Sequence, residues 1–298
     1  MDNDLICSID VNDKKKIVCK NTDEKVKELL DDYIQQLIDC QKKESMMEQF
    51  ACTMDSLGDI VKWCQYAVTM HSITKNFVVK NGCYTKGMAA LKNQEHLKNQ
   101  DKIEYKRIIA VQGIMLHSVG SAQPNAKVFV KGFNKASKKS CAHAFIDGND
   151  GKIYQVLPWC FNSCHSGKHK ETRKSVNETY IGIEMCEPAE IKYIIRNGHK
   201  TSDIKEISGD ALVRAQKVVK TTYESAVKLF AALCTMFKLD PLKEGVIISH
   251  REGNQVYKSA SEHADPEHLW RQLKTDYTMD TFRADVKKEM DNIISIDK

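Results

Sequence analysis

The chain has 298 residues, 42% of them hydrophobic and 29% charged, a globular balance that excludes a disordered, collagenous or low-complexity protein and leaves room for two domains. The net charge of +5 is unevenly placed: through Lys106 there are 16 lysines against 17 acidic residues, so 29 of the 45 basic and 23 of the 40 acidic residues lie beyond it, a bias too mild to specify nucleic acid. No apolar run approaches the ~18 residues of a membrane span, and the acidic opening Met1-Asp2-Asn3-Asp4 lacks the basic and apolar regions of a secretory signal.

The first hundred residues carry helical patterning. Asn21-Thr22-Asp23-Glu24 supplies a cap, and Val26, Leu29, Leu30, Tyr33 and Leu37 follow at helical spacing to about Lys43. Met47, Phe50, Met54, Leu57, Val61, Cys64 and Val68 then alternate steps of three and four, a heptad seam. The two helices would form an antiparallel hairpin in a small α-helical domain over 1–84. Its stripes are buried within that domain or used for self-association or for docking on a partner. Residues 85–106 are rich in Lys, Asn and Gln and read as a polar linker.

From 107 to 298 the pattern changes to short β-rich runs. Ile108 to Leu116, Ala142 to Ile146, Lys152 to Leu157, Tyr180 to Met185 and Val246 to Ser249 read as strands, with a turn at Asp147-Gly148-Asn149-Asp150-Gly151. Between the last two strands, Leu212, Ala215, Val219, Tyr223, Ala226, Phe230, Leu233 and Phe237 mark one face of a long helix over Asp210 to Phe237. The expected class is α/β, a mixed central sheet flanked by helices.

Four histidines follow or interrupt these strands: His117, His143, His165 and His250. Strand ends present groups to a cleft, and neutral imidazole is a common zinc ligand. Glu184 and Asp265 stand in similar positions, so two histidines and a carboxylate from this set suffice for a catalytic zinc with one open position; spacing alone does not choose among them. The eleven cysteines are odd in number and scattered, which points to most of them being reduced and buried. Cys160, Cys164, His165 and His169 offer an alternative small zinc site, though without a second Cys-pair motif.

The order of motifs resembles a known family. Leu116-His117-Ser118-Val119-Gly120, Ala142-His143-Ala144-Phe145-Ile146-Asp147, Cys164-His165-Ser166-Gly167, Ile181-Gly182-Ile183-Glu184-Met185-Cys186-Glu187-Pro188, and Ser249-His250-Arg251-Glu252-Gly253 with His263-Ala264-Asp265-Pro266 are similar to the type 2 N-acetylmuramoyl-L-alanine amidases, relatives of the peptidoglycan recognition proteins, and look closest to those of clostridia and their prophages. The resemblance covers about residues 105 to 290. It implies the amidase fold, a Zn2+ cofactor held by His117, His250 and Asp265, Glu184 as general base on the attacking water, and His263 as the group that stabilises the developing oxyanion. It places His165 along the substrate groove, with His143 either there or purely structural.

Two positions depart from the family pattern: Ala142 replaces a tyrosine found in some relatives, and Cys164 a common tryptophan. The implied activity is zinc-dependent cleavage of the amide between N-acetylmuramic acid and the L-alanine of the stem peptide, with peptidoglycan as the partner. Synthesis without a signal would suit a phage-type lysin acting on the wall after release or lysis. The alternatives are a non-catalytic peptidoglycan-recognition module and a zinc peptidase acting within the stem peptide.

Overall fold

The computed structural model describes residues 6–9, 17–20, 73–96 and 109–294. The two helices expected between Asn21 and Val68 lie outside them. The chain divides into two compact units, Met1–Ser72 with Met290–Lys298, and Ile73–Glu289. Within the first, strands β1 (Ile6–Ile9) and β2 (Ile17–Lys20) pair antiparallel.

The second unit is built on a six-stranded mixed sheet of order β10-β4-β7-β5-β6-β3, from β3 (Thr74–Lys75), β4 (Gly113–Ser118), β5 (Ala144–Ile146), β6 (Ile153–Gln155), β7 (Tyr180–Met185) and β10 (Ile247–Ser249). β10, β4, β7 and β5 run parallel, while β6 returns antiparallel to β5. Every residue of β4, β5, β6 and β10 is buried, which is why these strands read as continuous apolar runs rather than as alternation. The expected α/β class with a mixed central sheet and flanking helices is the one observed.

The long helix read from the sequence is α3 (Gly209–Met236), after α1 (Gly82–His96) and α2 (Ala126–Phe133). It lies against β5 and β7 and buries Ala215, Val219, Tyr223, Ala226, Phe230 and Leu233 of the stripe, together with Val227 and Leu229. Each large apolar side chain sealed there contributes about 1.5–3 kcal/mol. The stretch 85–106 that reads as a linker carries α1 as far as His96, and β3 adds to the main sheet beside β6.

Three further helices are α4 (His250–Gln255), α5 (Glu267–Gln272) and α6 (Met279–Ile294). A two-stranded hairpin, β8 (Tyr193–Arg196) with β9 (His199–Ile204), stands apart from the main sheet. Its turn residues Asn197 and Gly198 both have positive φ, as a two-residue hairpin turn requires. No helix among the described residues is long and apolar enough to cross a membrane.

Candidate metal centre and catalytic site

The parallel strands β10, β4 and β7 deliver one candidate group each to a single end of the sheet. His117 is the fifth residue of β4 and pairs in register with Glu184 on β7. His250 directly follows β10 and opens α4. Its place is fixed by a capping box: Ser249 Oγ accepts the Glu252 amide at 3.0 Å, and the Glu252 carboxylate accepts the Ser249 amide at 3.0 Å. Ser249 Oγ in turn donates to Glu267 at 2.8 Å. Arg283 locks the far side of the box, bonding Glu252 at 2.5 Å and the Ile247 carbonyl at 2.9 Å.

His117, His250 and Asp265 are all buried, and their ligand atoms lie within 4.8 Å of one another. The Nδ1 atoms of the two imidazoles are 3.0 Å apart, and the Asp265 carboxylate oxygens stand 3.3 Å from His117 Nδ1 and 3.5 Å from His250 Nδ1. The surrounding hydrogen bonds assign both tautomers. Ser261 Oγ donates to the Ser166 carbonyl at 2.9 Å, so at its 3.1 Å contact with His250 the ring Nε2 must be the donor. His165 Nε2 faces the Tyr180 carbonyl at 3.3 Å and therefore carries a hydrogen, leaving His165 Nδ1 to accept from His117 Nε2 at 2.7 Å. Each of these two histidines thus bears its hydrogen on Nε2 and turns a bare Nδ1 toward the other and toward Asp265. Burial favours the neutral forms of His117 and His165, pushing His117 down to about 4 and His165 well below the usual histidine range.

Three lone-pair donors therefore converge with no hydrogen to share, an arrangement that a cation satisfies and that protein groups alone do not. Among the described residues this is the group competent to hold a metal. The Cys160, Cys164, His165, His169 alternative does not assemble. Cys160 is disulfide-bonded and so offers no thiolate to a metal. His165 is engaged with His117, and His169 Nδ1 accepts the Glu171 and Thr172 amides at 3.3 and 3.2 Å.

Glu184 is half-buried, and its Oε2 is sealed from solvent without a hydrogen-bond partner among the described residues. Burial first, then the charges of Asp265 and Glu187, hold its carboxyl well above the usual carboxylate range. His263 is exposed and stacks flat on His250, with ring centres 4.5 Å apart and planes 3° from parallel; its Nδ1 is 3.7 Å from Asp265. Burial and the neighbouring His250 lower its pKa.

His143 is fully buried. Its Nδ1 accepts the Gly182 amide at 3.0 Å and its Nε2 meets the Phe161 carbonyl at 2.8 Å, so both nitrogens are spent on backbone. His165 is half-buried, with both ring nitrogens engaged as above. It packs over Gly182, where a Cβ would come 2.4 Å from the His165 ring.

A family model described as N-acetylmuramoyl-L-alanine amidase matches residues 107–268. The chain belongs to this amidase family. No curated protein sequence matches it. Among solved structures, the amidase is similar to the catalytic domain of XlyA (16% identity over 72% of this chain and 98% of that one, TM-score 0.41). It is also similar to the E90A mutant of PlyL (14%, 72% and 98%, TM-score 0.44) and to Staphylococcus aureus hydrolase AmiA in complex with its ligand (14%, 68% and 90%, TM-score 0.45).

Sequence reasoning missed the partners that orient these groups. Ser261 fixes the His250 tautomer from a loop without a motif. Glu187 and Tyr193 bond one another at 2.7 Å beside the loop that follows His117. The Asn197-Gly198 dipeptide that follows the Tyr193-Ile194-Ile195 run is a turn signal that would have located the β8–β9 hairpin, and with it Tyr193.

Proposed function

We propose that this amidase is a zinc-dependent N-acetylmuramoyl-L-alanine amidase, hydrolysing the peptidoglycan bond between the lactyl carbonyl of N-acetylmuramic acid and the amine of L-alanine. The observation that carries this reading is the convergence of the bare His117 Nδ1, His250 Nδ1 and Asp265 carboxylate beside Glu184. Two imidazoles and a carboxylate are a catalytic zinc set that leaves a coordination position open. Zinc bound there supplies Lewis-acid activation of the carbonyl and of water.

The protein's own groups do the rest. Glu184 takes a proton from the attacking water as oxygen bonds to the carbonyl carbon. It returns that proton to the departing amine as the C–N bond breaks, leaving a carboxylic acid and a free L-alanine amine. A carboxyl held above its usual range by burial is matched to that double task. His263, exposed and stacked on His250, donates an N–H to the oxyanion. His165 holds the His117 tautomer.

The test is metal content by elemental analysis, with digestion of purified peptidoglycan by the native protein and by His250→Ala and Glu184→Gln. One zinc per chain, released stem peptides and loss of release in both variants are expected. Metal-free protein that binds wall but releases nothing would replace this reading with a recognition module.

A further inference from the structure

A second carboxylate lies buried behind the centre, and neither the metal site nor the proton transfer uses it. Glu187 is 0% exposed. Its Oε1 accepts Ser118 Oγ at 2.7 Å and the Gly120 amide at 2.9 Å, and its Oε2 accepts the Tyr193 hydroxyl at 2.7 Å. The single Tyr193 hydrogen goes to Glu187, so the 3.1 Å contact between Tyr193 and His268 Nε2 has the histidine as donor. Sealing a carboxylate from water costs several kcal/mol unless each oxygen is satisfied, and an apolar side chain would fill the space at lower cost. What the carboxylate holds gives it a purpose. Ser118 follows the ligand His117, and its amide donates to Asp265 Oδ2 at 3.2 Å. On the other side Tyr193 belongs to the hairpin, whose Lys200 Nζ donates to the Gly120 carbonyl.

We propose that Glu187 is a positioning residue for the metal centre: by clamping Ser118 and Gly120 against Tyr193, it holds the Ser118 amide on Asp265 and so fixes the third ligand relative to His117 and His250. The inference rests on the metal reading above. A glutamine at 187 fails in a specific way. Its oxygen can still accept from Ser118 and Gly120, though more weakly than a carboxylate. Its NH2 group, however, can meet the Tyr193 hydroxyl only as a donor, so the Tyr193 hydrogen loses its carboxylate acceptor and must turn to His268 Nε2. The charge-assisted Tyr193 link is replaced by a weaker neutral contact while the side-chain volume is kept.

The test is the zinc dissociation constant of the full chain, measured by competition with a chromophoric chelator, for the native protein, Glu187→Gln, Ser118→Ala, their double variant and Tyr193→Phe, each with its metal-free melting temperature. Loss of a group that orients a ligand costs about 10–100-fold in metal affinity, and that range is expected for Glu187→Gln. The double variant should bind no more weakly than Glu187→Gln alone, because both changes break one chain of contacts. Tyr193→Phe, which retains the carboxylate and should fold even where Glu187→Gln does not, should weaken zinc by a smaller factor. Zinc affinity within twofold of native in Glu187→Gln and Tyr193→Phe, whatever their melting temperatures, overturns the proposal. So does a double variant whose loss equals the product of the single losses. Native protein that takes up no zinc overturns the metal reading itself, and this inference with it.

Discussion

His117 and His250 point their Nδ1 atoms at each other across 3.0 Å with no hydrogen between them. Two bare lone pairs at that distance repel, and the Asp265 carboxylate beside them adds a third acceptor. The fold holds this arrangement because each Nε2–H is committed elsewhere, to His165 and to Ser261. Adding a cation therefore stabilises the folded chain, since the unfolded one has no converged site. With free zinc at 100 times its dissociation constant the gain is about 2.7 kcal/mol. Thermal unfolding with zinc and with excess chelator checks this; identical melting temperatures would show that no site exists.

Glu184 gives two separable effects. Glu184→Gln removes the proposed base and should lower kcat by about 10²–10⁴-fold while zinc binding persists, since Glu184 is not among the converging donor groups. The carboxyl is held above its usual range, so the folded state binds this proton more tightly than the unfolded state does. Stability contributed by the neutral form is present at acid pH and is lost as pH rises past the unfolded value of about 4.3. In chelator-treated protein the glutamine variant should therefore be the more stable one at pH 8, with the difference shrinking toward pH 4. Equal pH profiles for the two proteins in urea denaturation would contradict the assignment.

The strand-end histidines, the long helix and the mixed sheet were legible because each is a local pattern. The runs around Ile114, Ile183 and Ile248 are apolar on both faces, and the α3 stripe keeps a 3.6-residue period over seven turns. What the pattern hides is long-range satisfaction of polar groups. Ser261 reaching Ser166 and His250, or Glu187 reaching Ser118 and Tyr193, joins segments far apart in the chain, and no periodicity announces it. β3 is only two residues long, and the polar face of α1 reads as a linker. The expectation that His117, His250 and Asp265 hold zinc rests on family likeness, because spacing alone offers four histidines. Geometry adds the tautomers, which leave His117 and His250 with a bare Nδ1 facing Asp265 while both His143 nitrogens are spent on backbone.

His143 illustrates that distinction and gives a pH signature. Burial pushes it down to about 4, so between that value and the ordinary 6.5 the unfolded chain binds a proton that the folded chain refuses. Its contribution is complete above pH 6.5 and is lost as pH falls toward 4, up to about 3 kcal/mol at the low end. Other buried histidines act in the same direction, so the check is the difference between native protein and His143→Gln in denaturant titrations from pH 7 to 4.5. The variant should be less stable at pH 7 and lose less on acidification. Parallel curves would mean that His143 is not held neutral.

Gly182 makes room for His165 beside the site, and its amide also holds His143. Gly182→Ala forces a Cβ against the His165 ring, and overpacking of this kind costs about 1–3 kcal/mol. The ring can move only by surrendering its bond to His117, so activity should fall at least about tenfold, more than the loss of folded protein explains. The comparison is kcat against the folded fraction measured by circular dichroism; full activity in a folded variant would show that His165 does not orient His117.

The bond that is cut defines the activity. Mass spectrometry of purified peptidoglycan after digestion, with labelling of newly exposed amines, reads it directly. The expected products are stem peptides that begin at a free L-alanine amine and glycan strands left with intact lactyl carboxylates, both dependent on added zinc. New amines on residues further along the stem, with L-alanine still joined to muramic acid, would contradict it and make the protein a peptidase.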